Sequence, residues 1–319
     1  MEEKKNEIIS QSNALTSSRY DFSPTEKNVL YRIIQRVRHD YVEGTMQHDL
    51  WDNLIVRINS ADLAQIADED HTERARKALR DLRKKDIEIS DEQGNWLNVG
   101  FINYAKYIAK AKCYEVEVSK EIMPHLVELA REFTTYSLTV AISLKSKYSQ
   151  RFYEWAHQYL GRNTKTFFLD IVPLRQMLKL SDGYKQKRDV KKRVIEVAMK
   201  ELKTAFDENR SDLWMEHYDK GKADSTRFFF KIHTRDEQQE QEKQRVDDLM
   251  QMARYIAVAN NRIFKKDPKF RERISQALNF SPEKIRPVFD RLTRLEKDEK
   301  ASQLPALWRY ILKNDFGIK

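Results

Sequence analysis

Downstream of Ser23-Pro24-Thr25-Glu26, apolar residues recur three or four positions apart at Val29, Leu30, Ile33, Ile34 and Val37. The quartet is a capping box with proline at the first helical position, so the pattern predicts a helix to about Arg38 that buries one stripe. Leu54-Ile55-Val56-Arg57-Ile58 predicts a short strand, Ser60 caps a short helix through Leu63 and Ile66, and a second helix runs from about His71 to Lys84. Ile87-Glu88-Ile89-Ser90 and Trp96-Leu97-Asn98-Val99 alternate around Asp91-Glu92-Gln93-Gly94-Asn95, the pattern of a hairpin with glycine in its turn. Helix, helix and hairpin in that order make a winged helix. Tyr114 to Val118 alternates again as a strand, and Pro124 opens a predicted helix through Leu126, Leu129 and Phe133 that closes the first domain near residue 135.

The same order then recurs. A helix is predicted from about Lys145 to Tyr159, a shorter one through Leu174, Met177 and Leu178, and a long basic one from about Lys187 to Phe206. A second hairpin follows, Leu213 to Tyr218 and Arg227 to His233, around Asp219-Lys220-Gly221-Lys222. Beyond Asp236 the chain is rich in Glu and Gln, then regains helical apolar spacing over Leu249–Phe264, Ser281–Leu295 and Leu304–Leu312. The expected architecture is therefore helix-rich α+β: two winged-helix domains in tandem, 1–135 and 136–235, then a helical linker and small all-α tail over 236–319. The second winged helix is taken as the main DNA reader.

Charge sharpens this picture. Over 319 residues Lys and Arg outnumber Asp and Glu by 59 to 50, a net +9 that favours a polyanionic partner. From Arg74 to Lys85 there are seven cations and one anion, a density that a helix built only for solubility rarely shows. On a helical wheel Ala75, Ala78, Leu79 and Leu82 share one arc, leaving Arg74, Arg76, Lys77, Arg80, Arg83 and Lys84 as candidate DNA contacts. From Lys185 to Lys203 there are eight cations and three anions; Val190, Val194, Val197, Ala198, Leu202 and Ala205 form the predicted packed arc. Lys185, Lys187, Arg188, Lys192, Arg193, Glu196 and Lys200 are the candidates there, since arginine and lysine pair with guanine or phosphate and glutamate accepts from cytosine. Lys145, Lys147 and Ser149, near the start of the preceding helix, suit a phosphate oxygen.

Enzyme signatures are missing from the sequence. Gly221-Lys222 is followed by Ala223, so there is no P-loop; the seven histidines never form HxH, and HExxH and GxSxG are absent. We expect no enzymatic activity, cofactor or metal. Cys113 is a lone cysteine, expected half-buried in its strand, which excludes an intramolecular disulfide. Met1 to Ile9 is charged and no apolar run reaches about 18 residues, so a cytoplasmic protein without membrane association is expected.

Ser137-Leu138-Thr139, Leu144-Lys145-Ser146-Lys147-Tyr148-Ser149-Gln150-Arg151-Phe152-Tyr153-Glu154, Pro173-Leu174-Arg175-Gln176-Met177-Leu178 and Lys191-Lys192-Arg193-Val194 together resemble plasmid replication initiators of the iteron-binding Rep family. Asn13-Ala14-Leu15 through Phe22-Ser23 is similar as well, so the likeness spans about residues 10 to 235. It implies binding to repeated double-stranded origin sites as a monomer, origin melting, recruitment of host replication proteins, and a homodimer that represses its own gene. The alternative is a dimeric winged-helix transcriptional regulator without initiator activity. A metal-dependent nickase is disfavoured by the lack of HxH.

Overall fold

Strand pairing, not helix formation, organises the front of the chain. In the computed structural model, which describes residues 7–64, 71–90, 94–127, 133–220, 226–279, 281–298 and 303–318, the chain divides into two compact units, 1–234 and 235–319. The first opens with β1 (Ile8–Ser12) and a single turn, α1 (Asn13–Thr16). The helix α2 (Pro24–Val42) follows, with both bonds of its capping box formed: Glu26 N–H to Ser23 Oγ, and Ser23 N–H to the Glu26 carboxylate. It runs a turn beyond Arg38 because its last turn is solvated and bears no buried apolar residue to mark it. Its end is set by Gly44, whose φ of 66° lies in the left-handed region that favours glycine.

The first winged helix is then assembled from β2 (Gln47–His48), β3 (Leu54–Asn59), α3 (Ser60–Ala64), α4 (His71–Leu82) and the hairpin β4 (Asp86–Ser90) and β5 (Trp96–Gly100). Residues 65–70, including Ile66, and 91–93 of the hairpin turn lie outside the described residues; Gly94, with φ 87°, is placed as the sequence requires. Beyond the hairpin come β6 (Ile102–Ile108), β7 (Cys113–Val118), α5 (Met123–Val127) and β8 (Phe133–Ser137). A four-stranded sheet has the order β2-β3-β7-β6, with Leu54 opposite Val118 and Asn59 opposite Cys113. Three of these features depart from the sequence reading. Cys113 is buried, not half-buried; β6 was not anticipated; and Phe133 stands on a strand where a helix was expected. Antiparallel pairing of β8 with β1, 125 residues away, decides the last case, and tertiary pairing of this kind overrides local helical spacing.

The second winged helix follows through α6 (Leu138–Ser143), α7 (Lys147–Gly161), β9 (Thr166–Asp170), α8 (Ile171–Met177), a helical run of α9 (Lys187–Val190), a π-helical stretch Lys191–Ile195 and α10 (Glu196–Asp207), then β10 (Leu213–Tyr218) and β11 (Arg227–Thr234). Its sheet has the order β10-β11-β9. In β9 the aromatic pair Phe167-Phe168 alternates as strand neighbours do: Phe167 is buried and stacks on Tyr159 with ring centroids 4.0 Å apart, while Phe168 is exposed. One hydrophobic core runs through both winged helices, and residue 135 falls inside β8. The helix α7 is the shared element. Phe152 meets Phe230 of β11, Tyr153 meets Tyr136 of β8, and the Trp155 indole N–H donates to Thr16 O.

The second unit is all-α: α11 (Arg235–Ile263), α12 (Pro268–Leu278), α13 (Pro282–Asp298) and α14 (Leu304–Asn314). Its own core gathers Ile256, Phe270, Ile274, Val288, Leu292 and Trp308, with the Trp308 indole N–H donating to Asn260 Oδ1 at 2.8 Å.

Candidate nucleic-acid interface

The helix α4 separates its two faces as its spacing requires. Ala75, Ala78, Leu79 and Leu82 are buried, and Arg74, Arg76, Lys77, Arg80, Arg83 and Lys84 are exposed. The six cations are not equivalent. Arg83 Nε donates to Asn103 O at 3.0 Å and the Arg76 guanidinium lies 5.3 Å from the Tyr107 ring, so both lean on β6. Glu73 pairs with Arg76 at 3.7 Å and with Arg80 at 4.0 Å, but all three side chains are solvated, so these surface pairs are weak and one carboxylate is shared between two cations. Arg74, Lys77 and Lys84 have no side-chain partner among the described residues and present bare charge. Lys85, counted in the same cationic run, is instead drawn to Glu26 at 2.7 Å.

In the second winged helix the sequence-predicted set is displayed on the α9–α10 run. Lys185, Arg188, Lys192, Arg193, Glu196 and Lys200 are exposed and Lys187 is half-buried. Two of them are pre-positioned by rings: Lys187 lies 5.0 Å from the Phe228 ring centroid, and Arg193 6.0 Å from that of Tyr184. The packed arc differs from prediction at one place. Val197 is 42% exposed, and Ile195 is buried instead. The cause is the π-helical stretch, whose wider turn takes an extra residue and rotates everything after it relative to a regular α-helix. Glu196 and Lys200, one turn apart beyond that stretch, are carried onto the outer surface with Val197.

The stretch is tied to the base of the wing. Lys191 Nζ meets Asp219 at 3.0 Å, and this bond holds the Asp219 carboxyl below the usual carboxylate range. His217, on β10, is pushed below its ordinary value by burial and then by Lys191, so it adds no positive charge near neutral pH. The recognition run and its hairpin are therefore joined by an ion pair as well as by the core.

The start of α7 does not offer the phosphate site that its residue types suggest. The backbone N–H groups of Lys145 and Ser146 donate to the Glu201 carboxylate at 2.6 and 3.0 Å, so a protein anion already fills the position. Ser149 is fully buried with its hydroxyl unpaired among the described residues, and Lys147 is held by Asp21 at 2.5 Å. Of the three candidates there, only the Lys145 side chain is exposed. Conversely, Lys220 and Lys231 are exposed on the second hairpin, Lys220 lying 4.7 Å from the Phe229 ring centroid. The sequence signal for Lys220 was the cationic turn of that hairpin, whereas Lys231 lies within β11 opposite Glu216; Gly221 and Lys222 lie outside the described residues.

Among the described residues no group of His, Cys, Asp and Glu is arranged to hold a metal ion, and no helix is long and apolar enough to cross a membrane. Residues 8–157 match the family model for initiator replication protein, WH1, and residues 171–230 match that for initiator Rep protein, WH2. Among solved structures, the Pi initiator protein in complex with iteron DNA is similar in fold. The match has 18% identity and a TM-score of 0.53 and covers 73% of this chain and 99% of that one.

Proposed function

The chain belongs to the initiator replication protein family, and from that premise we propose that it binds repeated duplex sites at a plasmid origin through its two winged helices, without catalysing a reaction. The observation that carries this is the α9–α10 run: a cationic surface that includes one acceptor, Glu196, stands clear of the core beside a hairpin. Phosphate contacts by the lysines fix register and orientation, while Arg193 and Glu196 are suited to base edges in the major groove. The exposed cations of α4 give the first winged helix a second grip, on an adjacent groove or on the backbone. The likeness to a protein solved with iteron DNA supports the same docking.

Occupied as a series, such sites promote opening of the origin and recruitment of host replication proteins, and a homodimer of the chain represses its own gene. The setting is the cytoplasm, on the plasmid. Protection mapping on the DNA flanking the gene tests this, together with a transformation assay that supplies only the gene and its upstream region. Footprints over direct repeats and stable transformants are expected. A single protected inverted repeat and no transformants would make the chain a dimeric transcriptional regulator instead.

A further inference from the structure

The charge of the chain is concentrated at one end. From Leu249 to Lys319 there are sixteen Lys and Arg against eight Asp and Glu, whereas the preceding 248 residues hold forty-three against forty-two. The helices from Leu249 onward therefore carry +8, while the acidic start of the C-terminal unit, with three Lys and Arg against six Asp and Glu over 235–248, brings that unit as a whole to +5 and leaves +4 in the winged-helix unit. Surfaces built for solubility interleave the two signs, so a one-sided excess in a small helical unit points to a polyanion.

Part of that excess is gathered by geometry. Arg309 on α14 bonds Asp267 at 2.7 Å and lies over the rings of Phe264 and Phe270, 5.2 and 4.3 Å from their centroids. These contacts fasten α14 to the turn between α11 and α12. Lys265 and Lys266 in that turn and Lys269 in the first turn of α12 are exposed, as is Lys313, one helical turn beyond Arg309. Arg309 and Asp267 cancel each other, and none of the four lysines pairs with a carboxylate among the described residues. Tyr310, 65% exposed, adds a hydroxyl at the edge of the cluster.

We infer that this lysine cluster, with Tyr310 beside it, is a contact of the C-terminal unit with the phosphate backbone of duplex DNA, indifferent to base sequence. A membrane-surface helix would turn apolar residues outward for insertion, but Leu304, Trp308, Ile311 and Leu312 of α14 are all buried. A docked acidic protein would need a broad apolar anchor, and of the large side chains of α14 only Tyr310 is exposed beside the lysines. Lysine serves phosphate as a mobile point charge without demanding a fixed geometry. The inference rests on the proposed function only in naming duplex DNA as the polyanion.

The test compares full-length wild type with K265Q/K266Q/K269Q/K313Q on a long duplex lacking repeats, across a salt series. The slope of log Kobs against log salt concentration is expected to become shallower by about 0.9 for each lysine that contacts a phosphate, while thermal unfolding is unchanged and the fourfold Lys→Arg variant keeps the wild-type slope. If the fourfold glutamine variant fails to fold, the four single variants must show the same decrement one at a time. An unchanged slope overturns the inference, as does loss of binding only to vesicles of phosphatidylcholine and phosphatidylserine, which would assign the cluster to a membrane. Wild-type preference for repeat over random duplex is read alongside. Its absence would defeat the initiator reading and leave the slope result standing, whereas strong preference with an unchanged slope defeats this inference alone.

Discussion

Arg193 is held before any DNA arrives, its guanidinium lying 6.0 Å from the ring centroid of Tyr184 on an otherwise exposed surface. A planar fork fixed in this way matches the O6 and N7 acceptors of guanine better than it matches a single phosphate oxygen. Arg193→Ala is therefore expected to weaken binding to the repeated site by about 1–3 kcal/mol while binding to random duplex hardly changes. Titration of both DNAs by electrophoretic mobility checks this, and an equal loss on the two would move Arg193 to the backbone. Arg193 was legible in the sequence because exposure on an amphipathic helix follows from spacing. Ser149 was not. It belongs to a stretch that reads as solvated, yet its neighbours turn inward to partners far along the chain: Gln150 Nε2 donates to Asn28 Oδ1 at 2.8 Å, and Arg151 donates to Ser18 O at 2.8 Å. A polar residue buried by such pairing leaves no trace in hydrophobic periodicity.

At the scale of elements, the π-helical stretch Lys191–Ile195 sets how the two halves of the recognition run face the DNA. Deleting Lys192 removes the extra residue and lets the run continue as a plain α-helix with Lys187 and Arg188 in nearly the same angular relation to Glu196 and Lys200, because the wide turn absorbs about one residue's rotation of 100°. The expected result is unchanged helix content by far-ultraviolet circular dichroism with specific binding kept apart from the contribution of one lysine; loss of specific binding in a folded deletion variant would show that the wide turn itself, and not the facing it sets, is what the DNA requires. Elements carrying their own cap or turn chemistry were readable: α2 with its capping box, α4 with its two faces, the β4–β5 hairpin with Gly94. The strands β1, β8 and β9 were hidden because each is defined by a partner distant in sequence: β1 by β8, and β9 by β11. The π-helical stretch was hidden for a different reason, since a wheel drawn at a constant angle places Val197 inside.

The whole N-terminal unit is pinned across its middle by a buried ionic cluster. Glu154 of α7 has no exposed surface; it meets Lys27 of α2 at 2.8 Å and Arg151 at 3.4 Å, and accepts from the hydroxyls of Tyr31 at 2.8 Å, Tyr20 at 3.2 Å and Tyr136 at 3.3 Å. Burial raises all three tyrosines well above 10.0 and lowers Lys27 to about 8. The two shifts act oppositely on stability. Between about pH 8 and 10 the unfolded chain keeps the lysine proton that the folded one releases, so rising pH favours folding; above about pH 10 the unfolded tyrosines ionise while the buried ones stay neutral, and stability falls. The urea midpoint is expected to climb to a maximum near pH 10 and then drop, with the climb abolished in Lys27→Met. Removing Glu154 is more severe, because Lys27 and Arg151 are then buried without a counter-charge: Glu154→Ala is expected to cost about 3–5 kcal/mol in urea denaturation. Replacing the three charges by Lys27→Met, Arg151→Met and Glu154→Leu removes the unpaired ions but leaves the buried hydroxyls of Tyr20, Tyr31 and Tyr136 without their acceptor, and is expected to recover part of that loss. What the apolar triple variant lacks is a set of directional bonds fixing α2 against α7, and through them one winged helix against the other. Its affinity for two adjacent grooves is therefore expected to fall although it is fully folded, a result read by comparing its binding to the full repeat with its urea midpoint. Wild-type affinity in a stable triple variant would mean that hydrophobic packing alone aligns the two halves.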